Sequence, residues 1–152
     1  MRDKPSLDPN AKLPSPGVEI MNADEKAVAS VLAQYQNALN QSNTDAVMKL
    51  YSSDGVFMSQ HFPSSVGADA VRKAYLAVFE AITLSVEFKV AEVVQVAPDW
   101  AFARTNSAGT VKVHATGTSS PEANQELFVF QKIGGAWKIA RYCFSTTNPP
   151  RA

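Results

Sequence analysis

The chain has a single cysteine, Cys143, among 152 residues. One thiol forms no internal disulfide, so a disulfide-stapled scaffold is excluded. Cys143 lies among apolar residues of a predicted strand and reads as a buried, inert thiol. Long apolar runs are missing too. No segment approaches the roughly 18 apolar residues of a membrane span. The N-terminal stretch M-R-D-K-P-S-L-D-P-N-A-K-L-P-S-P has no apolar core of signal-peptide length. The expectation is a cytoplasmic protein with no membrane partner. Neither sign of charge is in excess, with 14 Lys and Arg against 14 Asp and Glu. No basic stripe is present, so no nucleic-acid partner is expected. The two histidines, His61 and His114, share no metal-ligand spacing, and the lone cysteine adds nothing, so no metal is expected. A glycine-rich phosphate loop and a nucleophile elbow are absent as well, and no cofactor is expected.

What is present suits one domain with a single core: hydrophobic residues make up 45% and charged residues 18%. Residues 1–22 carry Pro5, Pro9, Pro14 and Pro16 and read as an extended arm, because proline fixes φ and removes a backbone donor. Residues 23–147 form the predicted domain and 148–152 a short tail. Asn22 and Glu25 make a capping-box-like start. Ala27, Val28, Val31, Leu32, Tyr35, Ala38 and Leu39 then recur at helical spacing. Ser42-Asn43 breaks the run, and Thr44–Tyr51 reads as a second short helix. A short strand is expected over Gly55–Ser59, and a third helix after Gly67, with Val71, Ala74, Tyr75, Val78 and Ile82 inward. From Leu84 the period changes to two. Further strands are expected near 100–114, 123–132 and 136–146, the last two joined by a Gly134-Gly135 hairpin turn. Three helices with one short strand among them, followed by four long antiparallel strands, is an α+β order.

The helical stretch V-L-A-Q-Y-Q-N-A-L-N-Q-S-N-T-D-A-V-M-K-L-Y-S-S-D and the closing run W-K-I-A-R-Y-C-F-S resemble the SnoaL-like and ketosteroid-isomerase-like branch of the nuclear transport factor 2-like superfamily. The resemblance covers roughly residues 24–146. It implies a cone-shaped α+β barrel, with three N-terminal helices packed on a strongly bent, mainly antiparallel sheet around one deep pocket for a small organic molecule. It also implies a homodimer, through an outer sheet face carrying Leu127, Val129, Ile139 and Cys143. Fold alone does not name an activity.

The resemblance also assigns positions. Tyr35 matches the helix tyrosine that donates to a developing oxyanion in the isomerases, and Glu126 matches the late-strand acid. Ser59 takes the place of the aspartate that moves the proton. A serine has no useful basicity near pH 7, so steroid isomerase activity is not expected, unless a loop shift brings His61 in as a base. The residues by themselves leave alternatives. Tyr35 is either a core tyrosine or a donor. Glu126, on one strand face with Phe128 and Phe130, either lines the pocket or joins a structural ion pair. His61 is either a solvated loop histidine or a substitute base. The family match turns Arg104 and Asn106 toward the pocket. There Arg104 would pair with Glu126 or hold an anionic ligand group. Tyr142 and Phe144 complete the inward set. Two functions follow: a non-catalytic small-molecule binder, or an isomerase, cyclase or dehydratase acting through Tyr35, Glu126, Arg104 and His61.

Overall fold

A computed structural model describes residues 21–150. The first helix, α1 (Ala23–Asn40), starts at a complete capping box. Asn22 Oδ1 accepts from the Glu25 amide at 2.8 Å, and the Glu25 carboxylate accepts from the Asn22 amide at 3.2 Å. Its buried stripe is Val28, Val31, Leu32, Tyr35, Ala38 and Leu39. Helix α2 (Thr44–Met48) is capped by Asn43 and is shorter than its apolar spacing suggests. The chain leaves it because the Leu50 carbonyl accepts from the Ile139 amide, at 2.7 Å, and Tyr51 already pairs beside Ile139. Tyr51 therefore opens strand β1 (Tyr51–Met58), four residues before the expected start. A two-residue strand, β2 (Ser65–Val66), precedes helix α3 (Ala68–Ala81).

Four long strands follow: β3 (Ile82–Ala97), β4 (Trp100–Val113), β5 (Ser119–Ile133) and β6 (Ala136–Thr146). The six strands form one sheet in the order β2-β1-β6-β5-β4-β3, antiparallel except where β1 runs parallel to β6. The sheet curls around the helices without closing, which is the expected α+β cone. Bulges in β3, between Val90 and Glu92 and between Gln95 and Ala97, bend the long hairpin. The unpaired edge of β3 is met by amide side chains of α1. Asn40 bonds both the amide and the carbonyl of Val86, at 2.9 and 2.8 Å, and Gln36 accepts from the Phe88 amide at 2.8 Å. An edge strand is thereby satisfied by the helix that covers it.

The other end of α1 is held by Asp24. Its carboxylate accepts from Lys132 Nζ and Trp137 Nε1, both at 3.0 Å, and from Gln95 Nε2 at 3.2 Å. The hydrogen bond from Lys132, then that from Trp137, keeps the Asp24 carboxyl below its ordinary range. Among the described residues no helix is long and apolar enough to cross a membrane. The proline-rich arm, up to residue 20, lies outside the described residues.

Two sheet faces differ from the expected alternation. In β6, a register shift opposite Val129 and Phe130 leaves Ala140 as an extra residue. It inverts the alternation, so that Trp137 and Ile139 face inward before it and Tyr142 after it. Ile139 is thus fully buried and is not part of the outer face. Cys143 stays on that face but is only half-buried. In β4 the inward set is Ala101, Ala103, Thr105 and Ser107, not Phe102, Arg104 and Asn106. Ala101 and Ala103 stand directly opposite Phe130 and Phe128 of β5. Small residues on β4 make room for the aromatic rings beside them.

Candidate functional site

A cavity of about 720 Å³ opens between the helices and the inner face of the curled sheet. Its walls are mostly apolar: Leu39 of α1, Phe57 of β1, and Leu84, Val86 and Phe88 of β3. Tyr35, Tyr75 and Tyr142 bring three phenols to the same cavity. Ser59, Gln60, Ser65, Lys73, Ser107, Glu122 and Asn124 supply its other polar groups. The volume is in the range of small-molecule sites, about 300–1,000 Å³.

The phenols form a buried chain. The Tyr35 and Tyr75 hydroxyls lie 2.7 Å apart, and those of Tyr75 and Tyr51 lie 2.6 Å apart. Tyr142 stands edge-on to Tyr35, with ring centroids 5.5 Å apart. Burial pushes Tyr35 well above the ordinary phenol range, against the opposing hydrogen bonds of Tyr75 and Tyr142. Burial also raises Tyr51, Tyr75 and Tyr142. All four stay protonated at neutral pH. Hydroxyls joined end to end carry one proton more than the bonds between them use, so the chain keeps one proton for a further acceptor.

Glu126, 4% exposed, lies on the inner face beside this chain. Its carboxyl oxygens accept from Thr105 Oγ1 at 2.6 Å and from Ser107 Oγ at 2.8 Å. Burial raises its pKa above the ordinary value of 4.5, and the Thr105 and Ser107 hydroxyls work against the rise. The folded state then holds this proton more tightly than the unfolded chain does. Through Glu126, stability rises as pH falls from neutrality through the raised value toward 4.5, the reverse of an ordinary paired carboxylate. Gln at this position accepts from one hydroxyl and donates to the other. Glu126→Gln is expected to leave stability at pH 7 within about 1 kcal/mol of wild type and to flatten its dependence on pH across that window. Urea unfolding at pH 5 and pH 8 measures both. A loss of several kcal/mol at pH 7 would show that an ionised Glu126 holds the core together.

The structure separates the expected site residues. Tyr35, Ser59, Tyr142 and Phe144 line the cavity. Glu126 touches it through Ser107. Phe128 lies behind the wall, stacked on Tyr142 at 4.1 Å, and is core rather than lining. His61 is exposed in the loop after β1, outside the lining, where its ring meets the Gln60 side chain at 2.9 Å. That orientation supplies no base to the cavity. Arg104 and Asn106 face outward. Arg104 pairs with Glu92 at 2.6 Å on the solvent side, and no Arg104–Glu126 pair exists. Two facts displace it. Its strand alternates in the opposite phase, and the hairpin turns over His114–Gly117, so that Arg104 stands opposite Leu127 and Thr105 opposite Glu126. The carboxylate expected to face a guanidinium faces two hydroxyls instead.

Sequence reasoning missed Thr105, Ser107, Lys73, Glu122 and Asn124. The signal for the first two was present, because T-x-S on β4 is the only short polar pair one alternation step away from the assigned face. Tyr75 was assigned to the inner face of α3, but nothing in the sequence joins it to Tyr35 and Tyr51. Among the described residues no group of three or more His, Cys, Asp or Glu is placed to hold a metal ion.

Comparison with known proteins fits this geometry. A ketosteroid isomerase-like protein from Erwinia carotovora atroseptica SCRI1043 superposes with a TM-score of 0.82 at 38% identity, over 85% of this chain and 100% of that one. A putative aromatic ring hydroxylase from Novosphingobium aromaticivorans DSM superposes with a TM-score of 0.72 at 20% identity, over 83% of this chain and 90% of that one. An NTF-2 like protein of unknown function from Shewanella oneidensis MR-1 gives 0.66 at 16% identity, over 80% and 98%. The last two share the fold alone. Curated proteins give no match. The model of the SnoaL-like domain matches residues 28–149, which take in α1 from Val28 on, the other two helices and the whole curled sheet, and the chain therefore belongs to the SnoaL-like family.

Proposed function

We propose that this protein binds a small, largely apolar molecule in the cone and orients it by one oxygen held at the buried phenols. The observation that carries the reading is the Tyr35–Tyr75–Tyr51 chain of hydroxyls, two of whose members line a mostly apolar cavity. An acceptor oxygen on the ligand accepts a hydrogen bond from the chain among buried phenols, where such a bond discriminates well. The family and the fold support ligand binding or isomerase-type chemistry in general terms. The second reading, an enzyme polarising a carbonyl at Tyr35, keeps its donors. It has no base at the position the family match assigns, because Ser59 stands in the lining there and His61 lies outside it.

The probe is 2-naphthol against naphthalene, followed by calorimetry. Wild type is expected to prefer the naphthol, and Tyr35→Phe to lose about 0.5–1.5 kcal/mol of that preference. Equal affinity for the two probes would overturn the role of the phenols. Binding of neither would overturn the cavity as a binding site.

A second copy of the chain is the proposed partner. The outer sheet face exposes Trp100 (40%) and Leu127 (42%) beside half-buried Phe102 and Val129. A homodimer covering this face removes apolar surface from water. Light scattering is expected to give the mass of a dimer at micromolar concentration, and a monomer there would refute this assembly.

A further inference from the structure

Helix α3 turns one face to the cavity: Ala70, Lys73, Ala74, Ala77, Val78 and Ala81. The spacing is that of a single helical stripe. The alanines stop at Cβ and leave room for a ligand along the helix. Lys73 is the one charged residue of the stripe. Its neighbour Arg72 is held by Asp45 at 2.6 Å, whereas Lys73 takes part in none of the ion pairs found among the described residues. Lys73 is exposed and also lines the cavity, so it sits where the cavity meets solvent. The other charged group of the lining, Glu122 on the sheet side, already accepts from Asn124 Nδ2 at 2.9 Å. Glu122 repels an anion from the sheet wall, and Lys73 attracts one to the helix wall.

We infer that Lys73 is a specificity residue, and that the ligands of this protein are amphipathic carboxylates. The apolar ring body fills the cone, one oxygen meets the phenols, and the carboxylate stays at the mouth beside the Lys73 ammonium. This rests on the binding reading above and adds the charge of the ligand to it. A carboxylate at the mouth keeps part of its hydration, so the arrangement avoids burying an ion. Because the lysine is exposed, the attraction is screened and modest, worth up to about a factor of five in affinity.

The test compares 2-naphthol with 6-hydroxy-2-naphthoate, the same ring system with a carboxylate added, on wild type and Lys73→Gln at low salt. Expected is a preference for the naphthoate in wild type, read as the ratio of the two affinities, that shrinks about fivefold in the variant. Raising the salt should erase the wild-type preference and leave the variant unaffected. If both probes bind but their ratio is the same in wild type and variant, the role of Lys73 is overturned and the phenol site stands. If neither probe binds wild type, the binding reading falls, and this inference with it.

Discussion

Replacing Phe128 by alanine is expected to destabilise the protein by about 3–5 kcal/mol, the range for deleting a large aromatic from a packed core. Phe128 is fully buried. Its ring stacks on Tyr142 with centroids 4.1 Å apart and planes at 12°, and on Phe130 at 5.8 Å. Tyr35 and Phe88 meet it edge-on at 5.6 and 6.4 Å. These are favourable offset and edge arrangements, so the loss includes specific ring contacts as well as buried area. Ala103, directly opposite on β4, is too short to fill the void. Three of the four rings around it, Tyr35, Phe88 and Tyr142, line the cavity. Probe affinity is therefore expected to fall along with stability, although Phe128 touches no ligand. Urea unfolding and 2-naphthol titration measure the two effects. A cost below about 1 kcal/mol would mean that the aromatic stack does not organise the core.

Phe128 also shows what the sequence made legible. Its burial followed from alternation along β5, where Glu126, Phe128 and Phe130 share a face. The same rule did not suffice on β4, where either phase of W-A-F-A-R-T-N-S is a plausible strand and the family match turned the face with Phe102, Arg104 and Asn106 inward. What decides is the volume available beside Phe128 and Phe130, a pairing across strands that no single segment displays. It failed again on β6, where Ala140 is an unremarkable residue whose bulge changes which side chains point inward. Helices α1 and α3 were readable because their stripes are long and their breaks, Ser42-Asn43 and Gly67, are local. The Tyr35–Tyr75–Tyr51 chain was not, since its members come from two helices and a strand start separated by up to 40 positions. Each was readable as an inward phenol. Their convergence is a property of the curled sheet.

The sheet in turn depends on one close approach, and Gly109→Ala is expected to cost about 3 kcal/mol, the upper end of the overpacking range. Gly109 of β4 pairs with Val86 of β3 on one side and with Glu122 of β5 on the other. A Cβ there would lie 2.0 Å from the Ser85 carbonyl oxygen and 2.8 Å from Val86 Cα. Both atoms are backbone, so no side-chain rotation relieves the contact and β3 itself must move. Yet β3 is pinned at that level: the amide and carbonyl of Val86 are both bonded by Asn40 of α1. Moving the strand breaks these bonds or drags the helix that carries Tyr35. Glycine here is not a bulge, since the β3–β4 register runs unbroken from Ile82 to Val90. It is the point where three strands draw together behind the cavity. Val86 and Glu122 both line that cavity, so the substitution is expected to weaken 2-naphthol binding as well as to lower the urea midpoint. Gly109→Ala within about 0.5 kcal/mol of wild type, with unchanged probe affinity, would show that the strands can separate there without disturbing the cone.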